Sequence, residues 1–432
     1  MINLKYFKDI SFWATLNIVL ALIGYMFVVA LFLPTIDPVV MANSPGTAEA
    51  ITQKFTLPYR GFSLLLSLYV LFRCMHNKGR QSLQIKMFFF LFTLWMIRLV
   101  YDLNFRDDII PTTPPIKIMI FVCVNLINIL AIYKSFCYIK LDLALKMLVY
   151  GSLIAILMLL IKNPALLLAG DMLETRVNGA AGMNSVNVST AGTFLFISLF
   201  CYMATHRQSK LTKFLSIIAL VLALIVTIRS GSRGPVISLV ITFCVFFLSN
   251  IKSFKGVFWL FVGISFIIVL QNVIMDFIAD FSPVFYSRLV ENDHGSNNAR
   301  MEYYQLAYEG FLNSPVLGEC YGISPGGKYT TYPHNTVLEA FCGLGFVGGM
   351  TYLLLIIAGV IVTYRLVSSK THFWVGLIWT SQIIESMFSS SFYDNEMLVS
   401  NWMVLLSVPL YYEASTIKRD GLKVIRSIAC DK

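Results

Sequence analysis

Apolar residues in this chain come in long unbroken runs, not in strict alternation and not in narrow helical stripes. Twelve runs stand out, at about 11–33, 57–73, 87–103, 116–133, 144–161, 188–204, 213–229, 234–250, 256–277, 336–364, 373–391 and 396–412. A bilayer-spanning helix takes about 20 mostly apolar residues. Lipid admits only helices or closed barrels, because every backbone polar group must be paired internally. Alternation would mark barrel strands, whereas continuous runs mark helices. The pattern predicts an all-α polytopic integral membrane protein of about 12 transmembrane helices, with 1–432 as a single transmembrane domain. The first run is too long for the apolar part of a signal peptide, lacks a small-residue cleavage signature and is followed by further spans.

Two polar intervals interrupt the runs, and both are expected to face the same side. One covers 162–187. The other, 278–333, has 56 residues and lies between the ninth and tenth spans. Loops longer than about 15 residues are usually functional or disordered, and the second has too much order in its composition to be disordered. Within Asn297–Asn313, the residues Met301, Tyr304, Tyr308, Phe311 and Leu312 recur at helical spacing. They predict an amphipathic helix at the membrane surface, capped by Asn298, with Arg300 in its first turn. Ser314-Pro315 ends that helix, and Gly318, Gly322, Gly326 and Gly327 form a strap leading to His334.

Composition agrees with this class. The chain is 57 % hydrophobic and 13 % charged with a mean hydropathy of +0.73, whereas soluble domains carry roughly a quarter charged residues. The net charge of +10 would suggest nucleic acid in a soluble chain. Here most of it falls in the short loops of one side, as the positive-inside rule requires. Lys5, Lys78, Arg80, Lys134, Lys140, Arg207, Lys210, Arg365, Lys370 and Lys432 are among 21 of the 33 basic residues assigned to that inner side. An even number of spans with both termini inside follows, and no nucleic-acid partner is expected. The outer set differs in kind. It holds Arg60, Arg98, Arg106, Arg176, Arg229, Arg233, Arg288 and Arg300 against only four lysines. A planar, always-charged fork suits phosphate, while lysine serves as a solvated point charge. Ion pairs with outer carboxylates are the plainer alternative.

Candidate chemistry concentrates on the outer side. Tyr332-Pro333-His334-Asn335-Thr336 closes the long loop and opens a helix rich in glycine at 343, 345, 348 and 349. His334 is the candidate general base, since imidazole titrates near neutrality. Glu339 is the second candidate. Tyr332 and Asn335 flank the histidine as substrate contacts, although Asn335 or Thr336 would equally serve as a helix cap. Arg229-Ser230-Gly231-Ser232-Arg233-Gly234-Pro235 forms a tight turn whose amides and two arginines make an anion site, or else a turn with interface-snorkelling arginines. Arg176 precedes a small, polar run to Gly192 that reads as a loop folded over a ligand or as a flexible connector. Arg300 is either a ligand contact or a salt-bridge partner of Glu302 or another loop carboxylate.

Metal and disulfide chemistry find little support. Glu291, Asp293 and His294 read as a charged loop tip, Asp107 and Asp108 are adjacent instead of spaced, and the eight cysteines show no paired spacing. No cofactor is expected. A transporter of lipid-linked sugar is the non-enzymatic alternative, but the midspans are nearly free of charge apart from Arg98 and Glu385, whereas transporters place binding groups at mid-membrane.

In this order, Ser232-Arg233-Gly234, Asn298-Ala299-Arg300, Asn313-Ser314-Pro315-Val316-Leu317-Gly318, His334-Asn335 with Leu338, and Gly343-Leu344-Gly345 through Gly349 resemble the bacterial O-antigen polymerase (Wzy-type) and O-antigen ligase superfamily. The resemblance implies a GT-C-like membrane glycosyltransferase of the bacterial inner membrane that is inverting and metal-independent. It would act at the periplasmic face on undecaprenyl-diphosphate-linked oligosaccharide and growing polysaccharide, with a chain-length regulator as a further partner. Under it, Arg233 and Arg300 would hold the diphosphate and His334 would be the motif histidine. Arg176 with Gly192 resembles an Arg…Gly spacing of polymerases, which favours polymerase over ligase.

Overall fold

A computed structural model describes residues 9–33, 45–77, 79–112, 114–166, 185–251, 270–290, 294–327, 329–370, 372–392 and 395–411. The chain enters α1 (Ile10–Phe32), which takes one π-helical turn at Leu20–Gly24. It continues through α2 (Pro45–Arg73), α3 (Leu83–Phe105), α4 (Pro115–Ser135), α5 (Leu141–Lys162), α6 (Ser185–Thr205), α7 (Lys210–Arg229) and α8 (Arg233–Asn250). Two shorter helices follow, α9 (Gln271–Phe281) and α10 (Pro283–Val290), and then α11 (His294–Asn313). The long α12 (Thr336–Ser369), then α13 (Phe373–Ser389) and α14 (Glu396–Tyr411) complete the bundle. Among the described residues β pairing is limited to isolated bridges, Pro111 with Thr330 and Ile323 with Thr331.

Nine of the described helices are long and apolar enough to cross a membrane, namely α1 to α8 and α12. The protein is a multi-pass membrane protein. The eleventh and twelfth expected spans appear as α13, with 17 residues, and the shorter α14. Most of the ninth expected span, 256–277, lies outside the described residues, and its last part belongs to α9.

Helix starts carry conventional caps. Asp9, Ser82 and Ser209 each accept a first-turn backbone N–H, which satisfies one of the orphan donors of a helix start. The core runs through the whole bundle, with a cluster of large aromatic residues where α12, α13 and α14 meet. Tyr352 packs on Trp402 at 5.4 Å and on Phe392 at 5.7 Å, and Trp379 packs on Trp402 at 5.7 Å. Leu65, Phe72, Ile97, Leu211, Phe214 and Ile357 point outward, as a lipid-facing belt requires. Some of the buried polar residues are paired with one another. Asn17 of α1 donates to Asn128 of α4 at 2.9 Å, and Asn128 donates to Glu396 and Ser400 of α14 at 3.2 Å.

Two sets of connections meet at opposite ends of the bundle. At one end Arg80 reaches the Leu410 carbonyl, Lys134 donates to the Asn77 carbonyl at 3.0 Å, and Lys140 pairs with Asp9 at 3.3 Å. At the other end, Arg229, Arg233, Arg288 and Arg300 gather with the strap that leads to α12.

The strap at the arginine end is held along its length. Asp102 of α3 is fully buried and accepts from Arg98 Nε at 2.8 Å and from the Tyr321 amide at 2.7 Å. Arg98 is therefore no isolated charge in a span but half of an ion pair near a helix end. Arg106 donates to the Glu319 carbonyl at 2.5 Å, and the Thr330 amide donates to the Ile110 carbonyl at 2.6 Å. Residues 315–319 cross directly over α12. The Glu319 amide donates to the Cys342 carbonyl at 2.8 Å and the Phe346 amide to the Pro315 carbonyl at 2.7 Å. These bonds use backbone groups that α12 releases at its kink, Gly345, with φ 62° and ψ −157°, a conformation essentially confined to glycine. A Cβ on Gly345 would strike Val316, and one on Gly318 would strike Gly343.

Candidate functional site

The turn between α7 and α8 is built by Gly231, whose φ of 72° reverses the chain, and by Ser232 at the N-cap position of α8. Its two arginines diverge. Arg229 is buried, donates to the Phe281 carbonyl and lies over the Phe281 ring at 5.1 Å. It fastens α9 to the bundle and is not part of the cleft lining. Arg233 donates from Nη1 to the Arg288 carbonyl at 2.8 Å, and Arg288 returns a bond from Nη1 to the Gly231 carbonyl at 2.6 Å. The turn and α10 are thus tied together by two arginines.

Arg233 and Arg288 line a small cleft together with Arg300, Ser232, Gly234, Phe388 and Glu385. Three guanidiniums therefore converge on one space from α8, α10 and α11. The helix carrying Arg300 differs from the expected one. It starts at His294, so Asn298 lies inside it and Arg300 sits in the second turn. Of the apolar residues expected along it, Met301, Tyr308 and Leu312 are exposed, Tyr304 is half-buried, and Phe311 meets Phe341 of α12 edge-on at 5.4 Å. The packed face is Tyr303, Leu306 and Ala307, against Leu338 and Cys342 of α12. That face carries the small residues Ala307 and Gly310, which allow close approach to α12 and the strap. The expected alternative, a salt bridge from Arg300 to Glu302, does not form. Among the described residues no carboxylate pairs with Arg300.

His334 stands beside this cleft. Its φ of 57° is left-handed, a region that non-glycine residues enter rarely and His more readily than most. The imidazole stacks on Tyr303 of α11, with ring centroids 5.8 Å apart and planes at 9°, and meets Tyr332 edge-on at 4.5 Å. Burial is the first cause that lowers its pKa below the ordinary value, and the nearby Arg300 guanidinium is the second. Both favour the neutral ring, the form that can accept a proton.

The residues after His334 serve the frame. Asn335 Oδ1 accepts from the Val337 and Leu338 amides at 3.0 and 3.1 Å, so it caps α12. Thr336 Oγ1 meets Ser386 Oγ at 2.9 Å and accepts from Tyr352 Oη at 2.8 Å. Glu339 is fully buried, and its carboxylate accepts from Ser391 Oγ and, at 3.1 Å, from the Phe392 amide. These contacts dock the start of α12 on α13 and on the segment before α14, and they place Glu339 behind the site instead of in the cleft wall.

Arg176, with the polar run that follows it up to 184, lies outside the described residues, as do Glu291 and Asp293. Among the described residues no three His, Cys, Asp or Glu side chains come together, and Cys320 and Cys342, the pair nearest the loop end, are free thiols. Two cleft residues were not singled out as site residues from the sequence. Arg288 stood among the outer arginines, and its place one helix before α11 was the available signal. Glu385 stood out only as an acid within an apolar run.

Residues 218–353 match the family model described as O-antigen ligase, and over that segment the chain is similar to the O-antigen polymerase/ligase superfamily. The match contains Arg233, Arg288, Arg300 and His334 and excludes Arg176 and Glu385. No curated protein matches the chain.

Proposed function

We propose that this protein is an O-antigen polymerase that joins undecaprenyl-diphosphate-linked repeat units at the periplasmic face of the bacterial inner membrane. The reading rests on one observation above all: Arg233, Arg288 and Arg300 line one cleft at the end of the bundle, with a neutral-leaning His334 beside Arg300. Diphosphate is the ligand chemistry that calls for several forked cations close to the headgroup level. The family match supports a glycan-transferring enzyme, and the division of basic residues supports the arginine end as the outer one.

In this mechanism the growing chain and a single repeat unit, each on a lipid diphosphate, meet at the cleft. The acceptor hydroxyl oxygen attacks the anomeric carbon of the donor sugar from the side opposite the diphosphate. His334 takes the hydroxyl proton, a contribution of about 10²–10⁴-fold for a positioned base. The anomeric C–O bond breaks, and its electron pair leaves on the lipid diphosphate. Arg233, Arg288 and Arg300 stabilise the charge that grows there, and Arg176 would add to them. A preorganised donor of this kind is worth roughly 3–4 kcal/mol.

The test is reconstitution. Purified protein supplied with lipid-diphosphate-linked repeat unit should produce a ladder of longer glycans on the lipid, and repeat units left unjoined would refute polymerase activity. The second reading, a ligase that passes glycan to lipid A-core, is favoured by the description of the matching family. Deletion in the producing cells separates the two. Loss of a polymerase leaves single-repeat lipopolysaccharide, and loss of a ligase leaves bare core with polymer stranded on the carrier.

A further inference from the structure

The cleft contains one group that a diphosphate site should not want. Glu385 of α13 lines it beside three arginines. A carboxylate facing a pyrophosphate repels it, so a bare anion site would gain by losing this acid. The surroundings of Glu385 nevertheless hold it in place. Ser238 of α8 donates to Oε1 at 3.0 Å, Ser381 donates to Oε1 at 3.1 Å, and Thr190 of α6 donates to Oε2 at 2.7 Å. Three helices thus orient one carboxylate. An ionised carboxylate offers about four lone-pair sites; three are occupied, and the side chain still reaches the cleft. The ring of Phe388, one helical turn on, lines the same cleft. An acceptor next to an apolar ring suits a sugar, which presents hydroxyl donors along its edge and C–H groups on its face. Behind the carboxylate, Gln382 is 5 % exposed, lines an adjoining small cavity with Glu385, and finds no partner for its amide nitrogen or oxygen among the described residues. Buried polar groups are normally paired, so the polar wall continues inward beyond what protein atoms satisfy.

We infer that Glu385 accepts a hydrogen bond from the sugar attached to the diphosphate, so that the arginines hold the phosphates and the carboxylate reads the glycan. This rests on the diphosphate reading of the cleft and adds a specificity-determining residue outside the matched family segment. It makes the cleft bipolar: cations select any lipid diphosphate, and Glu385 favours one that carries a sugar.

The experiment measures two affinities on the purified full chain, for undecaprenyl diphosphate without sugar and for the lipid-diphosphate-linked repeat unit. Wild type should bind the second more tightly. Glu385→Gln keeps size and packing but removes the charge. It should bind the bare lipid diphosphate at least as well as wild type and the sugar-bearing lipid about ten- to a hundredfold more weakly, the range for a bond to a charged acceptor. Glu385→Asp, which keeps the charge on a shorter arm, should fall between and gives the same comparison if the glutamine variant fails to fold. An unchanged ratio of the two affinities in Glu385→Gln would overturn the proposal. So would equal weakening of both ligands, which is what a merely structural role gives. A wild-type protein indifferent to the bare lipid diphosphate overturns the diphosphate reading itself, and this inference with it.

Discussion

Replacing Arg300 with alanine removes a guanidinium that lines the cleft yet pairs with no carboxylate among the described residues. Its neighbours Arg233 and Arg288 hold backbone carbonyls, so changing either would disturb the turn as well as the chemistry. Arg300 is tied down only through its helix, by the Tyr303, Leu306 and Ala307 face. The stability cost of Arg300→Ala should therefore stay within about 1 kcal/mol, while the loss of a positioned donor to the leaving diphosphate should cost about 3–4 kcal/mol, a hundred- to thousandfold in rate. A second effect follows from His334. Arg300 helps to hold the imidazole pKa below its ordinary value. Without that cation the pKa rises, so the ring becomes protonated, and useless as a base, at a higher pH than before. The acidic limb of the rate profile should move to higher pH. The assay is glycan elongation by purified protein across pH, with thermal unfolding in detergent as the control. A variant as fast as wild type with an unmoved acidic limb would refute both the phosphate contact and the coupling to His334.

Four further outcomes are expected. His334→Ala should lower elongation by about 10²–10⁴-fold with membrane insertion intact; normal polymer from this variant would remove His334 from the chemistry. Glu339→Ala leaves the Phe392 amide without its acceptor and should cost about 1–3 kcal/mol of stability, with Glu339→Gln much milder; equal loss of rate in both at unchanged stability would instead restore Glu339 as a base. Gly345→Ala should destabilise by at least about 1–3 kcal/mol from the left-handed backbone alone, with the clash against Val316 added, and an unshifted unfolding midpoint would contradict the kinked crossing. Elongation should continue in excess chelator, and a loss rescued by a divalent cation would contradict a metal-independent mechanism.

The positions of most spanning helices, and the set of arginines separated from the lysines, were legible in the sequence because lipid imposes them directly: apolar length and loop charge are local quantities. So was the His334 boundary, where a polar pair interrupts apolar runs. What the linear pattern left undecided was which face of α11 meets the protein. Met301, Tyr308 and Leu312 are exposed, as a helix at a membrane surface presents them, and the face that packs on α12 is Tyr303, Leu306 and Ala307. In a protein surrounded by lipid, apolar character no longer distinguishes inside from outside, and small residues that permit close approach decide instead. Likewise Arg229 and Arg233 lie four residues apart in one motif, yet only tertiary contacts send one to Phe281 and the other to the cleft. The convergence of Arg233, Arg288, Arg300 and Glu385, drawn from four helices, depends on how α8, α10, α11 and α13 pack, and such long-range geometry is written in no short stretch of chain.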